Sequence, residues 1–308
     1  MASFDVIGDV HGHLDPLERL LHAMGYRERD GAWRHPDRTA VFVGDLIDRG
    51  PSQREVLALV RRMQDAGSAH VVLGNHEFNA IGWATERPGK PGTFLRGHSE
   101  RRRRQHAAFL EQVGEHSASH REIIGWFRTL PAWLELPGLR VIHACWHPDA
   151  LARVAGRLSD AILTDAHLTE AFTDGSALHA DLEVLLKGLE APLPSGFSYA
   201  DKEGTPRHEI RIQWWRTDGA RNAREVAIAP RSARLPDTDV DLPSFPADDD
   251  PRPCVVGHYW LDGTPARRSA RVACVDYSVA AEGRLCAYRF SGETEIQDTH
   301  FESVPRRV

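Results

Sequence analysis

Several short apolar runs along the chain stop abruptly at polar residues. Phe4–Ile7 leads into GDVHGH, Thr39–Val43 into GDLIDRGP, His70–Leu73 into GNHE, Leu139–Ile142 into HACWH and Cys254–Val256 into GHYW. Runs of this length, rich in valine and isoleucine, predict buried strands. Where a glycine follows, the backbone can turn sharply at the strand exit. Helical patterns lie between the first three runs. In LDPLERLLHAMG, Leu14, Leu17, Leu20, Leu21 and Met24 share one face and Gly25 supplies a stop. In SQREVLALVRRMQDAG, Val56, Leu57, Val60 and Met63 do the same before Gly67. Strands alternating with helices predict an α/β fold. In such a sheet the ligand site lies beyond the carboxyl ends of the strands.

After Asp149 the punctuation weakens. DALARVAGRLSD and LHADLEVLLKGL read as helices and EIRIQWWR as a strand. Pro230–Pro253 holds six prolines and the acidic run Asp248–Asp250, the composition of a loop or linker. RVACVDYS and LCAYRF then return as strands. There is no internal repeat. The expectation is one domain over 1–308 with an insertion or cap at about 149–252.

Composition narrows the class. The 308 residues are 41% hydrophobic and 27% charged, which suits a globular protein with a large core. The net charge of −6 argues against a protein that coats nucleic acid, although a local site can still attract phosphate. The cysteines, Cys145, Cys254, Cys274 and Cys286, form no CxxC pair and no disulfide framework. The start of the chain lacks the basic and apolar regions of a signal peptide, and no run reaches the roughly 18 apolar residues of a membrane span. A soluble, cytoplasmic protein without membrane or nucleic-acid partners is expected.

The residues at the strand exits carry the chemistry. Asp9, His11, Asp45, Asp48, Asn75, His76, His143 and His258 are all metal-ligand or acid–base types. Taken singly, a DxH is weak, a GNHE could be a plain turn, and a histidine at a strand end is usually a satisfied polar residue. A run of successive exits that each carry such a residue is hard to obtain by accident. Carboxylate, imidazole and amide donors without thiolate suit Mn²⁺, Fe or Zn²⁺. The set exceeds the needs of one ion. Two ions roughly 3.5–4 Å apart, sharing a carboxylate, would use it economically.

GDVHGH, GDLIDRGP, GNHE, VIHA and GHYW, in this order, resemble the calcineurin-like metallophosphoesterases. More narrowly they resemble the bacterial phosphoprotein-phosphatase type and the symmetrical diadenosine tetraphosphatases. EIIGWFRTLPAWLELPGLRVIHA and VACVDYSVAAEGRLCAYRF are similar to segments of the same families, whereas 149–250 is not covered. The resemblance implies a sandwich of two mixed β-sheets flanked by helices. It implies Asp9 and His11 on a first metal, Asp45 as the bridge, and Asn75, His143 and His258 on a second. Arg49 matches a phosphate-gripping arginine, and His76, paired with Asp48, matches the general acid. Physical chemistry agrees with these roles. A shared aspartate offsets cation repulsion, water shared by two metals ionises near neutral pH for in-line attack, and a planar guanidinium holds two phosphoryl oxygens. A carboxylate behind an imidazole fixes its tautomer and raises its pKa. Glu77 reads as support for the loop.

Other positions leave alternatives open. Cys145 stands where the families have glycine, and His147 is extra, either facing substrate or lying on the surface. A second phosphate arginine is expected from EIRIQWWR, where Arg211 is preferred to Arg216. Arg101–Arg104 is a solvated helix face or, alternatively, a lid that attracts polyanions. Trp83, Trp126, Trp133, Trp214 and Trp215 are core residues or base-stacking platforms. The expected activity is two-metal hydrolysis of phosphomonoesters, small-molecule or phosphoprotein. The alternatives are a dinucleoside polyphosphate hydrolase and a binding module that kept the fold but lost catalysis.

Overall fold

The computed structural model describes residues 2–200, 204–230 and 232–307. The predicted strands form and assemble into two sheets. In the first, β1 (Phe4–Ile7), β2 (Thr39–Phe42) and β3 (Ala69–Val71) run parallel. The second contains β4 (Trp133–Leu136), β5 (Leu139–Ile142), β6 (Cys254–Val256) and β7 (Val272–Cys274), in the order β7–β6–β5–β4. There β5, β6 and β7 are parallel and β4 is antiparallel. The first sheet is completed by β8 (Asp276–Tyr277), β9 (Arg284–Phe290) and β10 (Phe301–Pro305), with β9 antiparallel to β1, β8 and β10. Both sheets are mixed, as expected. RVACVDYS crosses from one sheet to the other at Val275.

Strand alternation explains why the sheets stack. Phe4 and Val6, Val41 and Val43, Leu139 and Val141, and Val255 form one buried cluster between the sheets. Their neighbours Ile7, Phe42, Ile142 and Val256 point the other way, into the core under the helices. That second core receives α1 (Leu14–Ala23) and α2 (Gln53–Asp65), whose apolar faces are those read from the sequence. It also receives α3 (Asn75–Ala84), α4 (Glu100–Val113) and α5 (Ala118–Phe127). Between β5 and β6 the chain adds α6 (Pro148–Ala155), α7 (Asp165–Ala171), α8 (Ala177–Lys187) and a sheet of Glu190–Pro192, Glu209–Ile212 and Ala227–Ile228.

Two local expectations change. GNHE is not merely a turn, because Asn75 opens α3, with Gly74 as its cap. EIRIQWWR is a strand only over Glu209–Ile212. The chain then turns so that Trp214 is buried and donates its indole N–H to the Ala144 carbonyl (3.2 Å) and the Tyr259 hydroxyl (3.0 Å). The acidic run is clamped from below. Buried Arg140 on β5 donates to both Asp248 carboxylate oxygens (3.0 and 2.8 Å) and to the Arg252 carbonyl (2.7 Å). No helix among the described residues is long and apolar enough to cross a membrane.

Candidate metal centre

The strand exits of both sheets open onto one buried floor, and the backbone there is contorted. His11, Asp45, Asp48, Arg49, His258 and Trp260 all have φ between 46° and 73°, the left-handed region that non-glycine residues avoid. Strain of this kind costs on the order of 1 kcal/mol per residue and persists only where packing over-determines it. Glu77 supplies part of that packing. It is fully buried and accepts N–H bonds from Asp45 (2.8 Å), Leu46 (2.8 Å), Ile47 (3.3 Å) and Gly74 (3.2 Å). It therefore supports the DLI loop, the role read from the sequence.

Two donor clusters meet at Asp45. His11, Asp45 and His76 bring one ligand atom each within 4.8 Å of one another, and Asp45, His143 and His258 do the same. His143 donates from Nδ1 to the Val43 carbonyl (2.7 Å), which leaves Nε2 3.4 Å from Asp45 Oδ1. His11 donates from Nδ1 to the Ile47 carbonyl (2.7 Å). Asn75 Oδ1 lies 3.0 Å from His143 Nε2 and 2.8 Å from His258 Nδ1. Asp9 belongs to neither cluster in this arrangement, because both its oxygens accept the His258 backbone N–H (3.2 and 3.1 Å). The Asp9 carboxylate thus sits at the β6 exit, beside the backbone of His258.

The electrostatics fit a pair of cations. Burial, Asp276 and Asp45 push the Asp9 carboxyl well above its usual range. Buried carboxylates crowd together here, and a cation would relieve them. Burial first, and the neighbouring His76 second, hold His11 down at about 3. Burial, Arg211 and His143 hold His258 low as well. Neutral imidazoles are the form that binds metal. The Nε2 atoms of both histidines are buried without a hydrogen-bond partner, a costly condition that a ligated ion would remove at a donor atom facing it. The donors are nitrogen and oxygen. The sulfur atoms stay out of both clusters: all four cysteines are buried, and burial raises the Cys145 thiol far above its usual value, which disfavours the thiolate.

His76 stands beside this floor. Its Nδ1 lies 2.5 Å from Asp48 Oδ2, and its backbone N–H is held by Asp45 Oδ1 (2.9 Å). Burial opposes its charge, but Asp45 and Asp48 outweigh burial and raise its pKa. Asp48 shows the mirror result: burial opposes ionisation, yet His106 and His76 hold its carboxyl below the usual range. His106 was missed by sequence reasoning. Its signal was the stripe His106, Phe109, Leu110 and Val113 of α4, which puts the histidine on the buried face.

The arginines divide. Arg49 is exposed, with its guanidinium 4.5 Å from the centre of the Trp260 ring, and Trp260 also contacts the His11 ring edge-on at 6.2 Å. Arg211 lies close enough to His258 to depress that imidazole, whereas Arg216 is tied to Asp218 and to the Glu225 carbonyl. In the basic run, Arg103 bonds Glu115 (3.0 Å) and Arg104 pairs with Glu100 (3.7 Å), both at the exposed surface. His147 is not a surface residue: it is buried and accepts the Ala150 N–H as the cap of α6. Trp83, Trp126, Trp214 and Trp215 are core residues and Trp133 is half-buried on β4.

Two mixed sheets thus bring acid, imidazole and amide donors together at their shared exits. The calcineurin-like phosphoesterase family model matches residues 2–148, just under half of the chain. It is 50% identical over 74 residues to an asymmetrical bis(5'-nucleosyl)-tetraphosphatase of Halalkalibacterium halodurans, covering 24% of this chain and 30% of that one. It is 30% identical over 167 residues to a symmetrical bis(5'-nucleosyl)-tetraphosphatase of Vibrio cholerae, covering 53% and 52%. The chain therefore spans 30% and 52% of the length of these two relatives. Among solved structures, the cold-active protein-tyrosine phosphatase of a psychrophilic Shewanella species superposes with a TM-score of 0.52 at 19% identity, over 98% of this chain and 80% of that one. That likeness is one of fold.

Proposed function

We propose that this chain hydrolyses phosphoesters with two divalent transition-metal ions, Mn²⁺ first and Fe or Zn²⁺ as alternatives. Asp9, His11 and Asp45 would hold one ion, and Asp45, Asn75, His143 and His258 the other. The observation that carries this reading is the sharing of Asp45 by two buried donor clusters. When bound, the ions supply positive charge for phosphoryl oxygens and an activated water.

The chain's own side chains do the rest. Arg49, steadied on Trp260, grips non-bridging oxygens from the solvent side. Arg211 approaches from the inserted sheet, so residues 149–252 act as a cap that completes the anion site. His76 carries a proton on Nε2 toward the leaving oxygen, with its ring held from behind at Nδ1 by Asp48. The buried floor keeps bulk water from the carboxylates.

Two substrate classes fit this machinery. A phosphomonoester presents a terminal dianion that the ions, Arg49 and Arg211 can surround. The names of both relatives favour the second class, the dinucleoside tetraphosphates. Reconstituted protein should contain two transition-metal ions per chain and lose activity on chelation; full activity after exhaustive chelation overturns the proposal. Comparing kcat/KM for p-nitrophenyl phosphate, an alkyl phosphate and diadenosine tetraphosphate orders the substrates. The tetraphosphate products, two ADP or AMP plus ATP, report which phosphorus is attacked.

A further inference from the structure

Asp48 is held from two sides. Its Oδ2 lies 2.5 Å from His76 Nδ1, and its Oδ1 lies 2.7 Å from Nδ1 of His106 on α4. Its backbone N–H is bound by Gln53 Oε1 (2.8 Å), and that glutamine returns its amide to the Gly50 carbonyl (2.9 Å). The carboxylate therefore has no free rotation. With Oδ1 committed to His106, only Oδ2 is left to receive the His76 ring.

His106 is an expensive residue to place there. It is 2% exposed, and its Nε2 is buried with no hydrogen-bond partner. A buried polar atom left without a partner has given up its water without compensation, which destabilises the fold. The pocket around it is aromatic: the Phe109 ring lies 4.9 Å away and the Trp83 ring 5.9 Å away. An apolar side chain would fill such a pocket without that cost. The feature that an apolar side chain lacks is the Nδ1–H aimed at Asp48. His106 also lies outside both donor clusters, so it has no metal to hold.

We propose that His106 is a positioning residue for the proton donor: it locks the Asp48 carboxylate so that His76 presents Nε2 to the leaving group. This rests on the reading of His76 as the general acid. The consequence is specific. A lock behind the acid matters only where the leaving oxygen needs a proton. Loss of His106 should therefore lower turnover of alkyl phosphates and leave p-nitrophenyl phosphate, whose phenolate departs unaided, almost untouched.

The experiment compares His106→Ala, His106→Asn and His76→Asn in the metal-reconstituted full chain, reading kcat on both esters together with metal content and melting temperature. His76→Asn should lose about 10²–10⁴-fold on the alkyl ester. His106→Ala should lose about 10-fold or more there, within the reach of the acid it serves, and about twofold or less on p-nitrophenyl phosphate. His106→Asn should recover most of the loss, because the asparagine amide nitrogen stands where imidazole Nδ1 stood. Equal losses on both esters, or no recovery in His106→Asn at undiminished metal content, overturn the proposal. If His76→Asn itself loses equally on both esters, the general-acid reading falls and this inference falls with it. If only His76→Asn is selective, this inference alone falls. Should His106→Ala not fold, His106→Asn against His106→Phe gives the same contrast.

Discussion

Replacing Gly74 with alanine should displace the shared aspartate without replacing any candidate ligand. Gly74 has an ordinary φ of −87°, so alanine meets no backbone strain there. The obstacle is space. An ideal Cβ on Gly74 falls 2.2 Å from the Asp45 nitrogen, 2.4 Å from Asp45 Oδ1 and 2.5 Å from Glu77 Oε2. Real Cβ contacts stay beyond 3.0 Å. The Asp45 backbone must therefore retreat by about 0.8 Å, and it is pinned from behind by Glu77. Overpacking of this kind costs about 1–3 kcal/mol of stability. A misplacement near 1 Å at a reacting centre costs about 10²-fold in rate. Gly74→Ala should thus bind fewer than two Mn²⁺ ions per chain and lose about 10²-fold in kcat/KM on p-nitrophenyl phosphate. The control is Gly125→Ala on the exposed face of α5, where a Cβ meets nothing within 4 Å. It should keep full activity and gain about 0.5–1 kcal/mol, the usual helical advantage of alanine over glycine. Metal content by mass spectrometry, steady-state kinetics and thermal melts suffice. A Gly74→Ala protein with two ions and activity within about threefold of native would refute the reasoning.

Three further outcomes are expected. Trp260→Ala removes the ring under Arg49 and should raise KM for phosphoesters by about 2- to 5-fold with a smaller change in kcat, as loss of a cation–π contact worth about 0.5–1 kcal/mol predicts; an unchanged KM argues against Arg49 as the gripping group. Arg140→Met should destabilise the fold by about 2–4 kcal/mol, and a cycle with Asp248→Asn should show coupling, whereas additive single losses would mean that the clamp on the acidic run is idle. In chelated protein the advantage of the native chain over His76→Asn should depend on pH. The folded His76 pKa is raised above 6.5, so its contribution is complete below that value and is lost as pH rises through the folded pKa; a pH-independent difference in melting temperature between pH 5 and pH 9 contradicts this.

The sequence was most legible where one periodicity decided one element. The alternation in Phe4–Ile7 and Thr39–Phe42 dictates that Phe4, Val6 and Val41 face one way while Ile7 and Phe42 face the other, and both faces being apolar forces a layer on each side. The motifs at the strand exits likewise placed Asp45, Asn75, His76, His143 and His258 at one site, because parallel strands deliver their exits to a common edge. Glu77 was readable as loop support for the same local reason. The tertiary structure alone decided the rest. The side-chain direction of Asp9 depends on the His258 backbone, 249 residues away in the chain. His106 reaches Asp48 only because α4 packs its buried face over the GDLIDRGP turn, and the adjacent Arg101–Arg104 run draws the eye to the exposed face instead. Arg211 comes near His258 while Arg216 turns to Asp218 because the strand ends at Ile212, where Trp214 finds two buried acceptors. In each case the deciding contact joins residues whose spacing carries no periodic signal. Local pattern tells which side of an element is apolar, but which polar atom meets which is set by how the elements pack.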